Sequence, residues 1–145
     1  MIRPATPADV DQLVPLFDAY RTFFAGGTPA GSRAFLAERL GAGEGVFFLA
    51  FEGERATGFL TLYPLFSSWY ATRIWFLSDL YVHEAFRKAG IGKRLVEAAK
   101  RFAHENGSRS IMVEIPHREP HLVTFYEELQ FMRDRDFNLH RYYVS

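Results

Sequence analysis

The most pointed chemistry in this sequence lies in one short run, Arg87-Lys88-Ala89-Gly90-Ile91-Gly92-Lys93. Two glycines separated by one residue let a backbone approach a ligand closely and adopt dihedrals closed to other residues. The run stands where a strand pattern gives way to a helix pattern. There it would present unpaired N–H groups at the positive end of a helix dipole, a setting suited to a pyrophosphate. Arg87, Lys88 and Lys93 add cationic reach. The plainer alternative is a glycine turn that only reverses the chain. A triphosphate loop would require G-x-x-x-x-G-K-[ST], which is missing, and a dinucleotide fingerprint would open the first strand–helix unit of a parallel sheet, which this turn does not.

Composition closes many other routes. The chain contains no cysteine, which excludes disulfides, thiolate metal sites and a cysteine nucleophile. Its five histidines show no metal-ligand spacing, so no metal is expected, and no Ser-His-Asp set stands out. Lys plus Arg equals 17 and Asp plus Glu equals 17. With no net field to attract nucleic acid or an anionic membrane, neither is expected as a partner, and any anion site must be local. Met1-Ile2-Arg3-Pro4 opens without an apolar run behind a basic flank, and nothing approaches the ~18 consecutive apolar residues of a membrane span. A cytoplasmic location is the expectation.

The elements that position the turn can be read from periodicity. Residues 2–6 read as a short strand, followed by a helix with Val10, Leu13, Val14, Phe17 and Tyr20 on one stripe. A glycine- and proline-rich loop over 26–31 leads to a second helix over 33–40. Residues 46–51, 58–63 and 73–82 read as an antiparallel meander. Leu95, Val96, Ala98, Ala99, Phe102 and Ala103 recur at helical spacing up to the stop at Asn106-Gly107. Residues 111–115 then form a strand, 122–129 a short helix, and 131–145 two closing strands. The expectation is a single α+β (mixed α/β) domain over 1–145, with a central mixed sheet of six or seven strands and four helices. Its helical crossover from the fourth to the fifth strand should be right-handed and locally parallel.

With order and spacing in place, Leu80-Tyr81-Val82-His83-Glu84-Ala85-Phe86-Arg87-Lys88-Ala89-Gly90-Ile91-Gly92-Lys93-Arg94-Leu95 resembles the acyl-CoA-binding motif of the GNAT superfamily of N-acyltransferases. The R/Q-x-x-G-x-G/A pattern falls on Arg87, Gly90 and Gly92, and the likeness runs from Ile2-Arg3-Pro4-Ala5-Thr6 to Phe125-Tyr126-Glu127-Glu128-Leu129. The resemblance implies acetyl-CoA as co-substrate, bound through residues 80–82, through 87–93 including Ala89 and Ile91, and near Tyr126. It also implies a fourth strand splayed from the fifth, whose free backbone near Leu80 and Tyr81 polarises a thioester carbonyl. Two segments depart from the pattern: Gln130 stands where a glycine is usual, and Pro116-His117-Arg118-Glu119-Pro120 replaces an Asn-containing stretch.

The same resemblance proposes catalytic roles. Tyr126 would donate to the departing thiolate, unless it only packs the core. Where polyamine-acting relatives carry a basic glutamate, this chain has Ser78, which leaves Asp79 and Glu114, with His83 and His117 as weaker candidates, to take the amine proton. Strict alternation places Ser78 and Asp79 on opposite faces, so only a bulge would let both line one pocket. Tyr20, Phe24, Tyr63, Trp75 and Glu114 are the expected acceptor-site residues, although aromatics here could equally fill a core or a dimer interface. The resulting expectation is acetyl transfer to a small-molecule primary amine such as an amino acid or polyamine, by a homodimer. A non-catalytic acyl-CoA sensor, a protein or peptide acceptor, and a nucleotide-binding regulatory subunit remain as alternatives.

Overall fold

The computed structural model describes residues Met1–Ser145. Its contacts group the chain into two compact units, Met1–Glu114 and Ile115–Ser145.

The first unit runs β1 (Ile2–Pro4), α1 (Val10–Ala25), α2 (Ser32–Ala42), β2 (Val46–Glu52), β3 (Arg55–Ser67), β4 (Thr72–Val82), α3 (Ile91–Glu105) and β5 (Ile111–Val113). The sheet order is β1-β2-β3-β4-β5, antiparallel throughout except for the parallel β4/β5 pair. The expected meander and parallel crossover are therefore present. The strand count is five, not six or seven.

Each sheet face buries a helical stripe. On one, Leu13, Leu16 and Phe17 of α1 and Leu36 of α2 form a buried cluster with Phe47, Leu49 and Phe59. Their spacing in α1 is what the 3.6-residue repeat requires of an apolar stripe. On the other, Leu95, Val96 and Ala99 of α3 are fully buried. The Phe102 ring lies 5.7 Å from Phe48 and 5.3 Å from Trp75. Gly58 lets β3 sit close here, since a Cβ would fall 2.8 Å from the Tyr81 carbonyl oxygen and 3.4 Å from Leu95.

The path from β1 into α1 is fixed by Asp9. Its two carboxylate oxygens accept from the Arg3 guanidinium at 2.8 Å each, and Oδ2 also accepts from the Thr6 N–H at 2.8 Å. The Arg3 hydrogen bonds hold the Asp9 carboxyl well below the usual carboxylate range, against the opposing effect of burial.

The second unit holds α4 (His121–Glu128), where Tyr126 is buried with its ring 5.0 Å from Phe125 and 5.3 Å from Phe131. Gln130 takes the glycine's place at the helix end, at φ 74°. The two closing strands expected over 131–145 are absent. Asp134 instead accepts from the backbone N–H groups of Asp136 and Phe137 at 2.8 and 3.0 Å, a local turn, and the residues beyond it join no ladder. Strand propensity without a pairing partner does not make a strand.

Candidate active site

The site grows out of two irregularities in β4. The first is the short reach of β5, which pairs only Ile111, Met112 and Val113 with Trp75, Phe76 and Leu77. Beyond Leu77, residues 78–82 pair with β3 as their only strand, so their other backbone edge carries no strand. The second irregularity is a bulge. Thr61 pairs with Asp79 and Leu62 with Leu77, which leaves Ser78 as an extra residue. The side-chain phase therefore flips: Trp75 points to α3, while Asp79 points to α1. The Ser78 hydroxyl donates to Asp79 Oδ1 at 3.1 Å.

Asp79 is 8% exposed, and its surroundings are mostly hydroxyl and aromatic groups. Burial pushes its carboxyl above the ordinary carboxylate value, partly opposed by the hydroxyls of Thr61, Tyr20 and Ser78. The fully buried Thr61 Oγ1 forms no hydrogen bond of good geometry, yet it faces the carboxylate closely enough to favour its charged form. The Tyr20 hydroxyl also donates to the Ser78 carbonyl oxygen at 3.2 Å. Around this polar knot the Tyr20 ring meets Phe24 at 4.9 Å, Phe59 at 5.7 Å and Tyr81 at 6.4 Å. Tyr63 is half-buried, and burial with the Asp79 charge raises its phenol above the ordinary tyrosine range, against the pull of Arg39.

Past Val82 the chain turns into α3. The Arg87 Nε donates to the Val82 carbonyl at 2.9 Å, and its guanidinium carbon lies 5.4 Å from the Tyr81 ring centroid. Lys88 and Gly90 both take left-handed backbone, at φ 64° and 78°. Gly90 is the N-cap of α3 and provides no capping side chain, so the first-turn N–H groups have no cap from it. A Cβ on Gly90 would meet nothing within 4 Å, which marks open space in front of the helix start. Arg87, Lys88 and Lys93 are exposed and form no ion pair with an acidic side chain. These features fit the phosphates of a nucleotide-bearing thioester.

A family model described as the acetyltransferase (GNAT) family matches residues 13–131, which takes in every one of these features. The chain belongs to the GNAT acetyltransferases. YhfO, named an uncharacterized N-acetyltransferase, of Bacillus subtilis (strain 168) is 36% identical over 137 residues, covering 94% of this chain and 92% of that protein. A protein of Haemophilus influenzae (strain ATCC 51907 / DSM 11121 / KW20 / Rd), named "Probable acetyltransferase", is 35% identical over 109 residues, covering 74% of this chain and 75% of that one. A solved structure described as a probable acetyltransferase superposes with a TM-score of 0.94 at 34% identity, covering 100% of this chain and 98% of the other. The protein is thus an acetyl-transferring enzyme of a family that generally uses acetyl-CoA.

Within this GNAT fold the residues singled out by sequence separate into groups. Ser78, Asp79, Tyr20, Phe24 and Tyr81 come together, with Tyr63 coupled to them through the Asp79 charge. Trp75 does not join them. It is 4% exposed on the α3 side, with its indole N–H donating to Asn106 Oδ1 at 3.4 Å, because the bulge separates its face from that of Asp79. Glu114 is exposed just past β5. Leu80, Tyr81 and Val82 lie on the splayed stretch, and Ala89, Ile91 and Gly92 complete the turn and first helical residues, where Ile91 is 7% exposed and anchors α3. Sequence reasoning missed Thr61 and Phe59. A threonine set between Leu60 and Leu62 was the available signal for the first, whereas the place of Phe59 opposite Tyr81 comes only with the strand register.

Proposed function

We propose that the enzyme transfers an acetyl group from acetyl-CoA to the primary amine of a small molecule such as an amino acid or polyamine, by direct attack in a ternary complex. The observation that carries this reading is the bulge at Ser78, which sets a buried carboxylate of raised proton affinity beside the splayed edge of β4. A carboxylate held above its ordinary range is a better proton acceptor for an ammonium group than one in water.

The phosphates of acetyl-CoA lie on the α3 N-terminus among Arg87, Lys88 and Lys93, and its thioester on the strand-free edge of residues 80–82. A fixed N–H near Leu80 or Tyr81 stabilises the oxyanion that forms as nitrogen attacks carbon. Asp79, with Ser78 beside it, takes a proton from the ammonium group, Tyr126 donates to the sulfur as the C–S bond breaks, and the second proton that the acylated nitrogen loses restores the phenol. The aromatic rings of Tyr20, Phe24 and Tyr63 line the amine's approach. No covalent enzyme intermediate is involved.

Three further readings belong with this one. The family match runs across both contact units, which supports treating 1–145 as a single catalytic domain. The enzyme works as a homodimer, a reading supported by the exposed apolar residues Leu139, Tyr142, Tyr143 and Val144 in its tail. Its compartment is the cytoplasm, in keeping with the cysteine-free composition.

The test is acetyl-CoA consumption, with mass-spectrometric detection of product, across a panel of amino acids, polyamines, amino sugars and peptides. Turnover with a small amine is the expected result. Binding of acetyl-CoA without turnover on any amine would reassign the protein as a sensor, and turnover confined to peptides would move the acceptor class.

A further inference from the structure

We infer that Tyr20 is a positioning residue for Asp79: its hydroxyl serves both the Ser78 carbonyl and the Asp79 carboxylate, holding the bulge in shape and following the carboxylate's protonation state. This rests on the reading of Asp79 as the proton acceptor, and it names a residue on a different element that controls it.

The geometry is specific. Tyr20 stands in the last third of α1, 58 residues before its partner, and its hydroxyl lies 3.2 Å from the Ser78 carbonyl oxygen. A bulge leaves its extra residue outside the regular ladder, and Ser78 is that residue. The phenol thus donates to the irregular point of β4, the same point that turns Asp79 toward α1. The ring is held independently of the hydroxyl by Phe17, Phe24, Phe59 and Tyr81.

A phenol has one proton to give and here two acceptors. While Asp79 is ionised, an O–H···O⁻ bond to it is the stronger choice, because a charge-assisted hydrogen bond exceeds a neutral one. When Asp79 has taken the proton of the substrate ammonium, that advantage disappears and the hydroxyl turns to the Ser78 carbonyl. Tyr20 keeps its own proton throughout. The rotation lets one site hold the carboxylate ionised before attack and release it to remain protonated afterwards.

The other groups facing Asp79 are few. Thr61 and Tyr63 face it from β3, and Ser78 and Tyr81 accompany it on β4. Arg39 of α2 acts on Tyr63. Among the hydroxyls that oppose the effect of burial on Asp79, Tyr20 is the one supplied by a helix.

The test is a carbon-13 titration of the Asp79 carboxyl, identified by its absence in Asp79→Asn, in the wild type and in Tyr20→Phe. Phenylalanine keeps the ring contacts and deletes only the hydroxyl. The Asp79 midpoint should rise by about one pH unit, the size of one hydrogen bond to a charged group. Replacing Tyr20 site-specifically with a fluorotyrosine, a stronger donor, should move it in the opposite direction. With an active amine in hand, the acid limb of kcat/KM should shift with the titration. Unchanged midpoints in both folded variants would overturn the inference. Because the titration needs no turnover, a failed acetyltransferase assay would leave this result standing, and the two failures remain distinct.

Discussion

Ser78 and Asp79 are consecutive in β4, yet the Ser78 hydroxyl donates to Asp79 Oδ1 at 3.1 Å, because the β3 ladder skips Ser78 between its Thr61 and Leu62 pairings. An ordinary strand would direct the two side chains to opposite faces. The bulge thereby creates the polar end of the site and places its carboxylate under α1.

Burying that carboxylate has a thermodynamic consequence. Burial raises the folded-state pKa of Asp79 above its unfolded value. The folded chain therefore holds this proton more tightly, so the contribution to stability is fully present below the unfolded pKa of about 3.9 and is lost as pH rises through the higher folded value. At neutral pH the ionised group costs stability. Asp79→Asn should lower turnover by at least about 10²-fold while raising the thermal midpoint near pH 7 by a few degrees. Acetyl-CoA affinity should be nearly unchanged. Calorimetry at pH 5 and pH 8, with steady-state rates on the best amine, checks both halves, and a variant that is less stable and equally active would contradict them.

The turn before α3 gives a second prediction. Gly90 sits at φ 78°, so any side chain there strains the backbone by about 1 kcal/mol, whatever its charge. Gly90→Ala measures that strain alone. Gly90→Glu adds a negative group at the positive end of α3 and should weaken coenzyme A binding about tenfold or more beyond the alanine variant. Isothermal calorimetry on both folded proteins decides it. Equal affinities would remove the phosphates from this turn.

Much of this architecture was legible because it rests on periodicity. The apolar stripe of α1, the meander and the α3 repeat each extend over enough residues for the pattern to dominate. The bulge was legible only as a condition, since Ser78 and Asp79 could share one pocket only if one existed. An inserted residue leaves no mark of its own in the run from Trp75 to Asp79, and Trp75 was expected in the acceptor site for its aromatic ring. The true register puts Trp75 against Phe102 instead. Residues 131–145 failed for a different reason. Their aromatic content reports a preference, whereas a strand exists only with a neighbour to pair with.

Gln130 predicts a simple gain. It ends α4 in left-handed backbone at φ 74°, a conformation that costs a side chain about 1 kcal/mol and glycine little. Gln130→Gly should therefore raise unfolding free energy by up to about 0.5 kcal/mol, after the extra entropy of glycine in the unfolded chain is subtracted. Urea denaturation followed by circular dichroism measures it. A destabilised variant would mean that the Gln130 side chain contributes more than its backbone costs.

The tail predicts self-association. Tyr142, Tyr143 and Val144 are 88%, 74% and 92% exposed, and β5 is an edge strand of the sheet. A second copy offers each of these two features the partner it needs, and exchange between two copies closes as a symmetric dimer. Light scattering should give twice the chain mass. Because the chain has no cysteine, Met112→Cys in β5 and Tyr142→Cys in the tail can be made as two separate proteins. Mixed and oxidised, they should yield a disulfide-linked pair containing one of each. A monomeric mass at high concentration would contradict the dimer.

Tyr126→Phe tests the proposed acid. The ring is buried against Phe125 and Phe131, so phenylalanine should preserve the packing of α4 while deleting the hydroxyl. A phenol of pKa about 10 is matched to a leaving thiolate whose conjugate acid lies near 8.5, and the donor is needed most when sulfur becomes anionic. An interaction made mainly in the transition state lowers kcat without a matching rise in cofactor Kd. The expected loss is roughly 10²-fold, with less if water substitutes as donor. Single-turnover rates and acetyl-CoA affinities of the two proteins, measured with the best amine, separate the possibilities. A slower chemical step at equal affinity assigns the proton to Tyr126. Equal chemical-step rates would leave Tyr126 a packing residue of α4, and the strand-free backbone edge of residues 80–82 would then carry the catalysis.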